Sequence, residues 1–176
     1  PPTSSPACAE RRGYDREVSD LGSFAVAGVP TRRVEHEVVV ATSPADAWQA
    51  WVDPQRVVNF LGAEARIDLR IGGRYEILFL LDAPEGEQGA EGCRVLAYVP
   101  GEMLAFSWNA PPHLPEIRPL HTWVVVTFRG TPEGPTRIRL VQTGFGEGPA
   151  WDEDAAYFAS AWGGVLARCR DYLGTA

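Results

Sequence analysis

The feature that most constrains the fold is a succession of strand-like runs followed by one long helical stripe. Between residues 93 and 145 four runs follow one another: "CRVLAYV", "MLAFSWN", "LHTWVVVTF" and "TRIRLVQTGF". Each is rich in β-branched or aromatic residues. "PGE", "APPHLPEIRP" and "RGTPEGP" separate them, and such Gly- and Pro-containing stretches end strands. Loops of hairpin length join the strands, so the sheet is predicted to be antiparallel. After them, "FASAWGGVLARCRDYL" (158–173) places Phe158, Trp162, Val165, Leu166, Cys169, Tyr172 and Leu173 on one helical stripe. Strands in a run with a segregated helix predict an α+β domain.

The rest of the chain fits that class. Residues 31–41 read as a strand. A helix follows, with Ser43 as its cap, Pro44 at its first position and Asp46 in its first turn. "PQRVVNFLG" reads as a second short helix ended by Gly62. Strands are predicted at 65–71 and 74–82. The acidic "DED" at 152–154 sits where the dipole of the last helix favours negative charge. The domain is predicted to span 31–176. Residues 1–30 are read as an N-terminal extension, partly disordered, because "PPTSSPA" has the composition of a mobile tail.

Gly163 and Gly164 interrupt the last helix, and each costs about 1 kcal/mol relative to alanine. Two explanations are carried forward. The missing side chains let a backbone or ligand approach the helix, or they form a packing notch against Trp108 or Phe106.

Charge and composition narrow the function. The net charge is −7 and the pI is about 5.0, and no basic stripe is visible, so neither nucleic acid nor a membrane surface is an expected partner. All sixteen positive charges are Arg, which excludes Schiff-base chemistry on a lysine. Cys8, Cys93 and Cys169 form no C-x-x-C pair. Neither a disulfide framework nor a zinc site is expected, and a reducing cytoplasm fits.

Strand periodicity assigns faces. Arg137 and Arg139 belong in solvent, so Ile138, Leu140 and Gln142 face inward. Leu104, Phe106 and Trp108 share the inner face of their strand. Tyr75, Ile77 and Phe79 are chosen as inward. "HTWVVVTF" is ambiguous, with Trp123 and Val125 opposite Val124 and Val126. In "RVLAYV", Arg94, Leu96 and Tyr98 share one face.

Catalytic patterns are weak. His36, His113 and His121 lack metal-ligand spacing. His36 reads as solvated, while His113 and His121 flank a loop expected to cover a cavity mouth. Ser107 has no nucleophile-elbow context. The "GFGEGP" stretch lacks a third spaced glycine, and the acidic residues after it would repel phosphate. Asp152/Asp154 and Glu85/Glu87 read as solvated charge.

Five segments in order carry a family resemblance: "ATSPADAWQAWVDPQRVVNFLG", "IDLRIGGRYE", "YVPGEMLAFSW", "TRIRLVQTGFG" and "AWGGVLARCRDYL". Over about residues 33–174 the chain resembles the START-related SRPBCC superfamily. Within it, the chain is most similar to bacterial homologues of the activator of the 90-kDa heat-shock-protein ATPase. The resemblance implies a helix-grip fold, in which a curved antiparallel sheet wraps a long C-terminal helix around a cavity for an apolar small molecule. Some relatives are cyclases or hydrolases of polyketides, and some serve antibiotic biosynthesis or self-resistance. The family often has a tryptophan where this chain has "NFLG", "DPP" where it has "VPG", and a histidine near Gln142.

The resemblance places the Leu96/Tyr98 face, and with it Arg94, inward. An inward arginine needs a carboxylate partner, a place at the cavity mouth or an anionic ligand group. The expected ligand-binding set is therefore Tyr75, Phe79, Arg94, Tyr98, Phe106, Trp108, Trp123, Gln142, Phe158 and Trp162. No metal or cofactor is expected and no catalytic residue is assigned. The leading expectation is binding of an apolar, aromatic or polyketide-like molecule. An enzyme or self-resistance protein acting on a natural product, and a chaperone-regulating interaction module, are the alternatives. A homodimer is compatible with each.

Overall fold

The computed structural model describes residues 32–176. The expected N-terminal extension, with Cys8, lies outside them. Seven strands and three helices follow in the order β1 (Arg33–Val40), α1 (Pro44–Val52), α2 (Pro54–Val57), β2 (Glu64–Ile67), β3 (Tyr75–Leu78), β4 (Val95–Val99), β5 (Met103–Trp108), β6 (Thr122–Gly130), β7 (Thr136–Thr143) and α3 (Pro149–Leu173). Five strands form one antiparallel sheet in the order β1-β7-β6-β5-β4. The β2–β3 ribbon continues it: Tyr75 N donates to Cys93 O at 2.9 Å and Ala90 N to Ile77 O at 2.8 Å. The result is the α+β helix-grip architecture, with α3 packed against β1. No helix among the described residues is long and apolar enough to cross a membrane.

Local sequence explains the helix starts. Ser43 Oγ accepts from Asp46 N at 3.2 Å, and Pro44 takes the first helical position, where no N–H is needed. Asp46 is held below the usual carboxylate range by Arg56 and Thr42, which donate to it at 2.9 and 2.8 Å.

The inward faces of β5 and β7 follow the period-two reading. Leu104, Phe106 and Trp108, and Ile138, Leu140 and Gln142, are buried. Each large apolar side chain so buried contributes about 1.5–3 kcal/mol. On β6 the inner face is Thr122, Val124, Val126 and Phe128. Trp123 therefore faces outward, 40% exposed, with its ring over Gly144, where any Cβ would collide with it. The two alternating faces of β6 are both apolar, so its pattern alone did not choose.

Strand β4 departs from strict alternation. Val95 pairs with Phe106 and Tyr98 pairs with Leu104, with a bulge between Val95 and Ala97. An odd residue inserted there puts both Val95 and Tyr98 on the inner side. Cys93 and Val95 are fully buried, whereas Arg94 and Leu96 are exposed. The inward placement of Arg94 is thus corrected, and its charge stays in water.

Two histidine and carboxylate expectations also change. His36 is half-buried and engaged by α3, and not simply solvated. Its Nε2 donates to Ala159 O at 2.8 Å, and its ring lies where a Cβ on Gly163 would come within 3.4 Å. Asp152 pairs with Arg32 at 2.6 Å, as a surface charge does. Asp154, by contrast, is 1% exposed. Neither of its carboxylate oxygens has a hydrogen-bond partner among the described residues. It occupies the stripe position one turn before Phe158, and burial pushes its pKa up to about 6.

Candidate binding pocket

The centre of the space between sheet and helix is filled. Tyr75 and Phe106 stack with ring centroids 4.1 Å apart, and the Tyr75 hydroxyl donates to Trp51 O at 2.9 Å. Gln142 is tied in a buried chain of hydrogen bonds. Trp162 Nε1 donates to Gln142 Oε1 at 2.6 Å, Gln142 Nε2 donates to Thr122 Oγ1 at 2.8 Å, and that hydroxyl donates to Trp108 O at 3.0 Å. The chain joins α3 to β7, β6 and β5 and engages both the amide oxygen and the amide nitrogen of Gln142. Breaking a buried network of this kind strands its remaining members, which makes this one structural.

Open volume lies at one end of the interface. A pocket of about 470 Å³ sits between α3, the end of β5 with the segment after it, and the turn that follows β3. Its aromatic wall is continuous. Phe79 meets Trp108 edge-on at 6.4 Å, Trp108 lies 5.2 Å from Trp162, and Phe158 stacks on Trp162 at 6.0 Å. Pro111, Pro112 and Leu80 complete the apolar lining. Gly164 is part of the wall, and only Arg168 Nη1, at 3.4 Å, approaches the place of its missing side chain. The two glycines therefore serve different neighbours: Gly163 admits His36 and Gly164 opens the pocket.

The loop over this pocket is held by residues that sequence reasoning did not single out. Arg118 donates from Nε to Gly86 O at 2.8 Å, from Nη2 to Gly89 O at 2.6 Å and from Nη1 to Ala110 O. Asn109 Nδ2 donates to Gly89 O at 3.1 Å and Glu91 O at 3.2 Å. Together they clamp the 86–91 turn to the segment after β5. Leu114 and Ile117 pack with Ala110 against Ala150 and Trp151, which seats the loop on the start of α3. Burial lowers the Arg118 pKa, opposed by Glu91, whose carboxylate lies 3.8 Å away. An arginine inside a proline-rich loop was the available signal, but two of its three carbonyl partners, Gly86 and Gly89, are far away in sequence.

Of the ten expected ligand-binding residues, the structure brings Phe79, Trp108, Phe158 and Trp162 together in the pocket wall. Tyr75, Phe106 and Gln142 lie deeper, in the packed centre. Tyr98 packs at the edge of the core, and Arg94 and Trp123 face outward. The loop between β5 and β6 does cover the pocket, yet none of the three histidines lines it. His113 instead pairs with Glu153 at 3.3 Å. Burial and the nearby Arg118 lower the pKa of His121.

The structure is similar to that of protein MLL2253 from Mesorhizobium loti, with a TM-score of 0.64 and 24% identity over 81% of this chain and 96% of that one. It is similar to the Aha1 dimer from Colwellia psychrerythraea, with a TM-score of 0.60 and 15% identity over 81% of this chain and 96% of that one. It is also similar to DynU16, a putative protein in the dynemicin biosynthetic locus, with a TM-score of 0.59 and 20% identity over 82% of this chain and 48% of that one. This chain thus spans about half of DynU16. No curated protein matches. Likenesses this distant in sequence speak for the fold and leave function to the site. The family model for Activator of Hsp90 ATPase homolog 1-like protein matches residues 41–174, so the chain belongs to that family, within the SRPBCC superfamily.

Proposed function

We propose that this chain binds an apolar, aromatic or polyketide-like small molecule in the pocket between α3 and the ends of β3 and β5. One observation carries the reading: about 470 Å³ of space beside a continuous wall of Phe79, Trp108, Phe158 and Trp162. Concave, mostly apolar sites of this size with a few polar groups suit small-molecule ligands. The likeness to DynU16, from a dynemicin biosynthetic locus, supports a natural product as the ligand class. Arg94, Tyr98 and the loop histidines His113 and His121 do not line the pocket, which favours binding over turnover. A homodimer belongs to the same proposal, supported by the Aha1 dimer likeness, and light scattering checks it.

Naphthamide, an uncharged bicyclic aromatic, is a suitable probe because Trp108 and Trp162 report on it by fluorescence quenching. Saturable quenching is expected in the wild type. Gly164→Leu fills the pocket and should weaken binding by roughly tenfold or more, while leaving the melting temperature near that of the wild type. Absence of saturable quenching, or binding untouched by Gly164→Leu, overturns the proposal.

A further inference from the structure

The pocket contains a cation that has no counter-ion among the described residues. Ten of the described arginines lie within ion-pair distance of a carboxylate. Arg74, Arg94 and Arg168 are the described arginines outside that set, and of these only Arg168 lines the pocket. This occurs in a chain with 23 acidic residues against 16 basic ones, where surface pairing is easy. The neighbouring Asp171 approaches Arg170, not Arg168.

Arg168 is also held in place. Its Nε donates to Phe60 O at 3.1 Å, which fixes the plane of the guanidinium. Its Nη1 lies over Gly164, 3.4 Å from where a Cβ would stand. Among the described residues no hydrogen bond uses either Nη group. A guanidinium anchored on one side, with its outer N–H groups open at the edge of an apolar wall, matches the two oxygens of a planar anion. The other arginine of the lining, Arg118, engages each of its three nitrogens with a backbone carbonyl. Glu87 also borders the pocket and disfavours an anion at its own side, so it directs the charged end toward Arg168.

We infer that the ligand is an aromatic or polyketide-like molecule bearing a carboxylate or comparable planar oxyanion, with its ring system against Trp108 and Trp162 and its anion on Arg168. This rests on the pocket reading above and adds a ligand class to it.

Naphthoate and naphthamide, nearly identical in shape, separate the two claims. Wild-type protein should bind naphthoate about tenfold more tightly than naphthamide, with the preference shrinking as salt is raised. Arg168→Gln should bring naphthoate down toward the naphthamide level, with a much smaller effect on naphthamide. Arg168→Lys should keep part of the preference. Equal binding of the two probes by the wild type, or equal loss of both in Arg168→Gln, overturns the anion inference while leaving the pocket intact. Failure of both probes to bind the wild type overturns the pocket reading and this inference with it.

Discussion

The two ends of the sheet–helix interface are built from the same kinds of residue and behave differently. At the centre, Tyr75, Phe106 and the Gln142 network leave no space. At the end near Phe79, equally aromatic residues surround about 470 Å³ of open volume. Aromatic content therefore does not separate a core from a site. What separates them is whether a facing element closes over the rings. The centre is closed by neighbouring strands and α1. The pocket is roofed only by a loop, which Arg118 and Asn109 hold through backbone carbonyls.

Substitutions at the two ends should break that symmetry. The largest effect is expected from Phe106→Ala, which removes a fully buried ring from the closed centre. It should cost about 3–5 kcal/mol in denaturant unfolding and leave probe affinity nearly unchanged in the protein that remains folded. Comparable loss of affinity and stability would mean that centre and pocket are one cavity.

Asp154→Leu should act in the opposite direction. It removes a buried carboxyl that has no hydrogen-bond partner among the described residues and should stabilise the fold by about 1–3 kcal/mol. The sign of the pH effect follows from the raised pKa. The folded state holds its proton up to about pH 6, whereas the unfolded carboxyl releases it near 3.8. The contribution of Asp154 is thus most favourable below about pH 4. It is lost as pH rises toward about 6 and stays lost above that. Glu35 and Asp46, lowered by arginine partners, work in the reverse sense. The difference between wild type and Asp154→Leu isolates the Asp154 part: the gain should grow between about pH 4 and 6. A gain independent of pH would show that the Asp154 carboxyl ionises equally in the folded and unfolded states.

The smallest effect is expected from Gly164→Ala. One methyl improves helix propensity by about 0.5–1 kcal/mol, and the only nearby atom is the movable end of Arg168. Stability should rise slightly while naphthoate binding weakens. A gain in both would place the ligand elsewhere.

Much of the frame was legible beforehand. Period two in "TRIRLVQT" and "MLAFSW" placed their inner residues, Ser43 and Pro44 marked the start of α1, and the stripe of α3 predicted its buried face from Phe158 to Cys169, though Tyr172 at its end is 40% exposed. The readings that failed share a cause. Arg94 was misplaced because a single bulge changes the phase of β4 without leaving a mark in composition. Trp123 was misplaced because β6 is apolar on both sides. Asp154 looked like an ordinary helix-start carboxylate, and its burial comes from what packs over it.

By itself the sequence determined the class of fold, the order of its elements, the helix caps and the ordered motifs that mark the family. These rest on local spacing and turn chemistry, which neighbouring residues are enough to specify. Only the tertiary structure decided which aromatic rings are packed and which line a pocket. It also decided that Gly163 receives His36 while Gly164 opens toward Arg168. Those outcomes depend on contacts between residues more than a hundred positions apart, such as Arg168 with Phe60 and His36 with Ala159. Burial and pairing are properties of the assembled chain, and no local pattern contains them.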